Sequence, residues 1–377
     1  MKTILKVLAA GVVASVAMSA RAELTIGVVL SLTGPASGLG IPVNNGFKLW
    51  PDTIGGEKVK MIVLDDATDP STGVKNARRL VTDDKVDVIL GSSTTPISVA
   101  MADVASESGT LQIAISPPPL PPGKDTWTFR MAHSATVIAH PMVAHMKRNG
   151  VKTVGFLGYI DAYGESWLKE FGAVAKQAGL EVTAVERFQR TDTSVTGQAL
   201  KLVGANTDAI LVVASGSGAA MPHRALVERG YKGKIYQTHA AASRDLMRVG
   251  GKDVEGGYVV SGPATVAEQL PDTNPSKKAA LDYVQKYDKV YGAGMRNQFA
   301  AHAYDTLVVL QKVVPMALQK GKPGTKEFRA AIRDAVETMG RTVVSHGVLN
   351  YTKDNHWGFT TETGVILKVV NGDWKVE

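Results

Sequence analysis

Three hydroxyl residues in a row, Ser93, Thr94 and Thr95, stand between the apolar run VDVILG and a helix whose first turn begins near Pro96. Proline at the first helical position gives up no hydrogen bond, and the free N–H groups of a helix start join the hydroxyls in pointing donors at one place. An ordinary capped start accounts for one hydroxyl and leaves the others for a bound molecule. Arg190, in ERFQRTDTSV, has the fork that clamps a carboxylate, and it stands equally well in solvent or paired with Asp192. Ser215 ends the run DAILVVAS, at the strand edge where α/β sheets hold ligands. His239 closes another strand and His302 lies in FAAHAYD. Either imidazole can bond a phenol or a carboxylate, although an alanine-rich helix face also suits His302 as a satisfied core group.

Catalytic patterns are missing. The loop TGPASGLG follows a β-branched strand, but Gly34, Gly38 and Gly40 do not have the G-x-G-x-x-G spacing, and Ile41-Pro42 stand where a P-loop needs Lys and Ser/Thr. Such a loop allows close backbone approach to whatever fills the mouth of a cleft, with Leu39 as a contact, or it is a plain strand-to-helix turn. There is no G-x-S-x-G and no H-E-x-x-H, and the eight histidines are scattered, so no metal or cofactor is expected. For an exported hydrolase the nearest local pair is Ser217 with His223, badly placed for each other across a helix start. Pro117 to Pro122, interrupted by Leu120, form a stiff apolar stretch, either a wall in which Pro117 and Pro119 meet a ligand or a brace on a crossing between lobes.

The N-terminus reads as an export signal: Lys2 and Lys6, an apolar run from Val7 to Met18, and Ala20-Arg21-Ala22 as a cleavage site that releases Glu23. That run is shorter than the roughly 20 residues a bilayer span requires. Its removal takes Lys2, Lys6 and Arg21, leaving 39 basic against 35 acidic residues, so the formal charge falls from +7 to +4. No basic stretch interleaved with aromatics remains to bind nucleic acid. Cysteine is absent, which excludes disulfides, thiolate zinc sites and a cysteine nucleophile.

Short apolar strands alternate with amphipathic helices, a pattern that predicts parallel sheets covered on both faces. It restarts after Asn149-Gly150, giving two α/β lobes, and after Gly262 long helices take over before a tail of short strands. A chain that returns to lobes already built crosses between them more than once, which makes a hinge and a cleft that closes. The expected division is 23–140 with 262–345 for the first lobe and 141–261 with 346–377 for the second. Asp69 is expected to cap one helix and Asp192 another that starts near Val195.

The strand ELTIGVVLSLTGPASGLG, the segment DDATDPSTGVKNARRLV, the loop GSSTTPISVAMADVA, Ile115-Ser116-Pro117 and YIDAYGESW together resemble type I periplasmic solute-binding proteins of ABC importers, the leucine/isoleucine/valine-binding group. The resemblance implies two Rossmann-like lobes on a three-crossing hinge, a small-molecule ligand, an inner-membrane permease as partner, a periplasmic location and action as a monomer without catalysis. It also implies that the ring of Tyr163 covers the ligand on closure. GIPVNNGFKLWPD, RTDTSVTGQALKL, PHRALVERGYKGKIYQTH and QLPDTNPSKKAALDYV resemble the subgroup that takes up lignin-derived aromatic acids such as p-coumarate, cinnamates and benzoates. Amino-acid-binding relatives have small hydroxyl residues after the Ser-Pro step and an acid near the position of His239. This chain has Pro118-Pro119-Leu120 and Gln237-Thr238-His239-Ala240-Ala241 there. A buried ammonium without acceptors costs several kcal/mol, which favours an aromatic monoanion over a branched-chain amino acid, an aliphatic acid or an amide.

Overall fold

A computed structural model describes residues 23–377; the expected export signal at 1–22 lies outside the described residues. The first lobe opens with β1 (Leu24–Leu30), α1 (Ser37–Phe47), β2 (Thr53–Ile54), β3 (Glu57–Asp65), α2 (Pro70–Thr82), β4 (Val88–Gly91), α3 (Thr95–Ser108), β5 (Leu111–Ala114) and β6 (Thr128–Arg130). The second follows with α4 (Ala135–Arg148), β7 (Thr153–Tyr159), α5 (Ala162–Gln177), β8 (Glu181–Phe188), α6 (Thr196–Gly204), β9 (Ala209–Val213), α7 (Ala220–Glu228), β10 (Lys234–Gln237), α8 (Arg244–Gly250), β11 (Tyr258–Ser261) and α9 (Lys277–Tyr291). Next, α10 (Gln298–Leu318), α11 (Lys326–Thr338) and the hairpin of β12 (Thr342–Val344) with β13 (Gly347–Leu349) return to the first lobe. Finally β14 (Val365–Val370) and β15 (Asp373–Val376) add to the second.

The first sheet runs β2-β3-β1-β4-β5-β6, parallel except for β2. The second runs β15-β14-β11-β10-β9-β7-β8, with antiparallel β14 and β15 at one edge. Period-two alternation along β1 sends Leu24, Ile26, Val28 and Leu30 to the core shared with α1, α10 and α11. Val29 faces the opposite way, into the core beneath α2 and α3. Gly27 leaves room there for Leu80, whose Cδ1 would lie 2.8 Å from an added Cβ. Both faces are therefore apolar, as buried parallel strands require.

The cores divide the chain differently from the expected boundaries. Ala264, Val266, Ala280, Tyr283 and Tyr287 pack in the second lobe, although the expected division puts 262–345 in the first. Conversely Leu349, Tyr351 and Phe359 pack in the first lobe, although that division puts 346–377 in the second. The amphipathic face of α9 fits the second core, so the return crossing lies between α9 and α10, and the last lies between β13 and β14. With the passage from β6 to α4, the chain crosses three times.

Local corrections are small. The first helix starts at Ser37, inside the glycine loop. Asp69 caps α2 by accepting from Thr72 N at 2.7 Å, whereas Asp192 closes a turn by accepting from Gln189 N at 2.8 Å and caps nothing. β6 and β11, of three and four residues, are strands that the sequence pattern does not single out.

Gly40 explains the tight seat of α1. A Cβ on it would stand 2.1 Å from the carbonyl oxygen of Ser31. Gly40→Ala must push α1 off β1, with an expected loss of about 2–4 kcal/mol in urea unfolding; an unchanged midpoint would show that the helix moves freely.

Candidate functional site

The C-terminal ends of both sheets face each other across the hinge, where open α/β sheets place ligands. In the first lobe a buried carboxylate organises the loops. Asp66, after β3, accepts from Ser31 Oγ at 2.7 Å, Ser92 Oγ at 2.6 Å and Thr68 N at 2.9 Å, so it ties together the ends of β1, β3 and β4. Burial raises its pKa, and the two serine bonds only partly offset this. Gly34, at φ 77°, lets the glycine loop settle on the adjoining turn, since a Cβ would lie 2.7 Å from Ala67 O. This is the structural reason for the first glycine. Ser93 Oγ accepts from Ser31 N at 3.2 Å.

From this frame α3 presents its N-terminus to a small cavity between the lobes, of about 30 Å³. Thr94 is the N-cap residue, but its side chain caps nothing, and its buried Oγ1 has no partner among the described residues. Ser93, Thr94 and Thr95 all line the cavity, with Leu39 on one side and Pro117 on another. Pro119 does not. Arg130 Nε donates to the carbonyl of Pro118 at 3.1 Å, which turns the chain away after Pro117 and leaves Pro119 half-buried outside.

The second lobe supplies Tyr163, Arg190, Ser215 and His239. Asp161 caps α5 by accepting from Tyr163 N and Gly164 N with one oxygen. Its other oxygen takes Arg190 Nε at 2.6 Å, while Arg190 Nη1 donates to Ser215 Oγ at 2.9 Å and the guanidinium lies over the ring of Tyr159. Arg190 is thus neither solvated nor paired with Asp192. The Tyr163 hydroxyl is 2.7 Å from Thr238 Oγ1, so its ring, not its hydroxyl, is free to meet a ligand. Burial raises its pKa.

Between the lobes, α10 brings Gln298, Phe299 and His302 to the cavity. Spacing of three and four from His302 on a helix would have singled out Phe299 and Gln298. Ile115, Ser116, Ala132 and Ala240 also line it, Ala132 from the segment that follows β6. Behind His239 and His302 lie two histidines that sequence spacing does not single out. His133 stands 6.2 Å from His239 by ring centroids, and His346 stands 4.5 Å from His302. Burial, reinforced by neighbouring imidazoles, lowers the pKa of His133 and His302 well below the ordinary value and takes His239 down to about 3.

Among the described residues, His302, Asp305 and His346 bring possible metal donors together. Asp305, however, accepts from Ser345 N at 2.7 Å and His346 N at 3.1 Å, which makes it the anchor of the β12–β13 turn. The hydrolase pair is also apart in role. Ser217 is exposed, His223 is buried with Nδ1 3.2 Å from Gln237 Nε2, and neither lines the cavity.

The model of the family described as periplasmic binding protein matches residues 23–370. The chain belongs to that family. Relatives match it over most of its length: an extracellular ligand-binding receptor from Rhodopseudomonas palustris superposes with a TM-score of 0.93 at 46% identity, covering 95% of this chain and 99% of that one. A Leu/Ile/Val-binding protein homolog 3 from Brucella melitensis is 24% identical, covering 89% of each chain. A solute-binding protein of an R. palustris ABC transporter, solved with benzoate, shares the fold with a TM-score of 0.77 at 17% identity, covering 94% of this chain and 95% of that one. The family implies a periplasmic location, a small-molecule ligand and an ABC permease as partner, and it consists of solute-binding proteins rather than enzymes.

The buried groups have measurable consequences for stability. Tyr163→Phe removes one buried hydrogen bond and leaves Thr238 Oγ1 with only its 3.5 Å bond to Ala214 O, with an expected loss of about 1 kcal/mol in urea unfolding; no loss would mean the bond contributes nothing to stability. His239 and His223, lowered by burial to about 3 and about 4, are neutral when folded but titrate near 6.5 when unfolded. The unfolded chain then binds more protons below 6.5, so stability is full above that pH and falls as pH drops, by about 1.4 kcal/mol per unit for each group. Ligand-free melting temperatures that stay flat from about pH 7 to 5 would contradict this.

Proposed function

We propose that this periplasmic binding protein captures a small aromatic monocarboxylate between its lobes, acts as a monomer, and hands the ligand to an ABC permease. The observation that carries the reading is the composition of the cavity wall. Leu39, Ile115, Pro117, Tyr163 and Phe299 give it an apolar body, and no Asp or Glu side chain among the described residues lines it. An aromatic ring matches such walls, whereas an α-ammonium would be buried with no carboxylate to pair its charge, at a cost of several kcal/mol. The carboxylate has donors from both sides: the hydroxyls and free N–H groups at the start of α3, and the guanidinium of Arg190.

Ser93, Thr94, Thr95, Arg190 and Ser215 are the proposed polar contacts, and Tyr163 the covering ring. His239 and His302 complete the set toward the far wall. The benzoate named for the R. palustris neighbour agrees with this chemistry, and the resemblance of GIPVNNGFKLWPD and RTDTSVTGQALKL to the lignin-aromatic subgroup points the same way. The Leu/Ile/Val names of the Brucella relatives favour a branched-chain amino acid instead. A thermal-shift panel of p-coumarate, ferulate, benzoate, 4-hydroxybenzoate and leucine separates the two. A ligand at a hundred times its Kd adds about 2.7 kcal/mol. The expected result is a rise with at least one aromatic acid and none with leucine; the reverse refutes the proposal. Arg190→Gln should weaken the aromatic ligand about tenfold or more by calorimetry, and equal affinity would remove Arg190 from the site.

A further inference from the structure

The cavity wall carries no net positive charge to meet a carboxylate. Among the described residues Arg190 is the one Lys or Arg side chain on its wall, and Asp161 Oδ2 lies 2.6 Å from its Nε, so that cation is already balanced. The start of α3 offers only the partial charge of a helix end. A carboxylate enclosed there would be met by hydrogen-bond donors but by no net opposite charge, and that imbalance weakens its binding.

What the site does contain is a set of bases. His133, His239, His302 and His346 come from the segment after β6, the end of β10, the helix α10 and the β12–β13 turn, and each is at least 97% buried. His133 Nε2 lies 3.0 Å from the carbonyl oxygen of His346, so that nitrogen carries the proton and Nδ1 is left bare. Nδ1 of His239, Nδ1 of His302 and Nε2 of His346 are likewise buried with no partner among the described residues. The charged group facing this cluster is Asp305, 3.4 Å from His346 Nδ1, which is matched by the N–H groups of Ser345 and His346 rather than by a cation. On the second-lobe side stand Tyr163, whose hydroxyl is held by Thr238, and the neutral pair of Arg190 with Asp161.

We infer that the protein takes up one proton with each carboxylate it captures, and that the imidazoles of His239 and His302, backed by His133 and His346, carry it. This rests on the carboxylate reading of the site. No bond is made or broken apart from the N–H formed on an imidazole, and the proton comes from buffer. Without ligand His133, His239 and His302 are neutral, because burial and mutual repulsion disfavour their charged forms; an enclosed anion reverses that preference. One proton balances one negative charge, so the site selects monoanions and rejects dicarboxylates.

The test is calorimetry of the mature protein with p-coumarate and with benzoate in phosphate, HEPES and Tris buffers at one pH near 7. The dependence of the observed heat on buffer ionisation enthalpy counts protons directly. The expected uptake is about one per ligand, with Kd rising about tenfold per pH unit as the medium is made more alkaline. His239→Asn and His302→Asn, alone and together, should reduce the uptake, and the double variant should lose the pH dependence of Kd. Binding with no proton uptake overturns this inference and leaves the carboxylate reading intact. An unchanged uptake in the double variant overturns the role of the histidines. No heat with any aromatic acid overturns the carboxylate reading and this inference with it. Because the buffer series uses the unaltered protein, its outcome does not depend on either variant folding.

Discussion

Helix α10 is the constraint on which the two-lobed structure depends. Its first turns place Phe299 and Ala303 in the core of the first lobe and Ala300 and Ala301 in the core of the second. A rigid helix shared between two packed interiors fixes how far apart the sheets stand, and small residues at the seam let both come close. Trp50 Nε1, donating to Ala303 O at 3.1 Å, ties the end of α1 to the same helix. The side chains left facing neither core, Gln298 and His302, reach the cavity together with Phe299. The seam and the site are therefore the same place.

Around that helix each lobe positions its contribution through a buried or half-buried carboxylate. Asp66 gathers serine hydroxyls from two strands and so orients the loop that carries Ser93 to Thr95. Asp161 caps α5 and holds Arg190 with the same side chain. Both acids are engaged by donors of their own lobe, which keeps them from opposing an anion. The distinction matters for ligand class: a charged acid with a free oxygen on the wall would invite an ammonium, and neither of these two lines the cavity.

Much of this was legible in the sequence. Strand-terminal hydroxyls, a glycine loop and a lone arginine are local signals, and the ends of apolar runs mark the mouth of a parallel sheet, so all the expected contacts but Pro119 came to one cavity. The lapses share a cause. The place of Pro119 depends on Arg130, which anchors a carbonyl 12 residues back; the partner of Arg190 lies 29 residues back at Asp161; His133 and His346 meet across the hinge at a separation of 213 residues. The lobe boundaries failed for the same reason, because an amphipathic helix such as α9 reveals that it has an apolar face but not which lobe accepts it. Periodicity and residue type report what a segment needs, whereas pairing over such distances is decided by the assembled fold.

The cavity is built against the stability of the protein that holds it. Thr94 Oγ1, Gln298 Nε2 and bare nitrogens of His239 and His302 on its wall, with those of His133 and His346 behind, are buried without partners among the described residues, and each such group costs about 1–3 kcal/mol relative to a satisfied one. Apolar residues at those positions would pack at less cost, and the surrounding cores show that this chain has no shortage of them. Polar groups that go unmatched when the lobes close on nothing become matched only when something with complementary atoms lies between them. The deficit is therefore recovered on binding, and it favours closure around a ligand over closure alone.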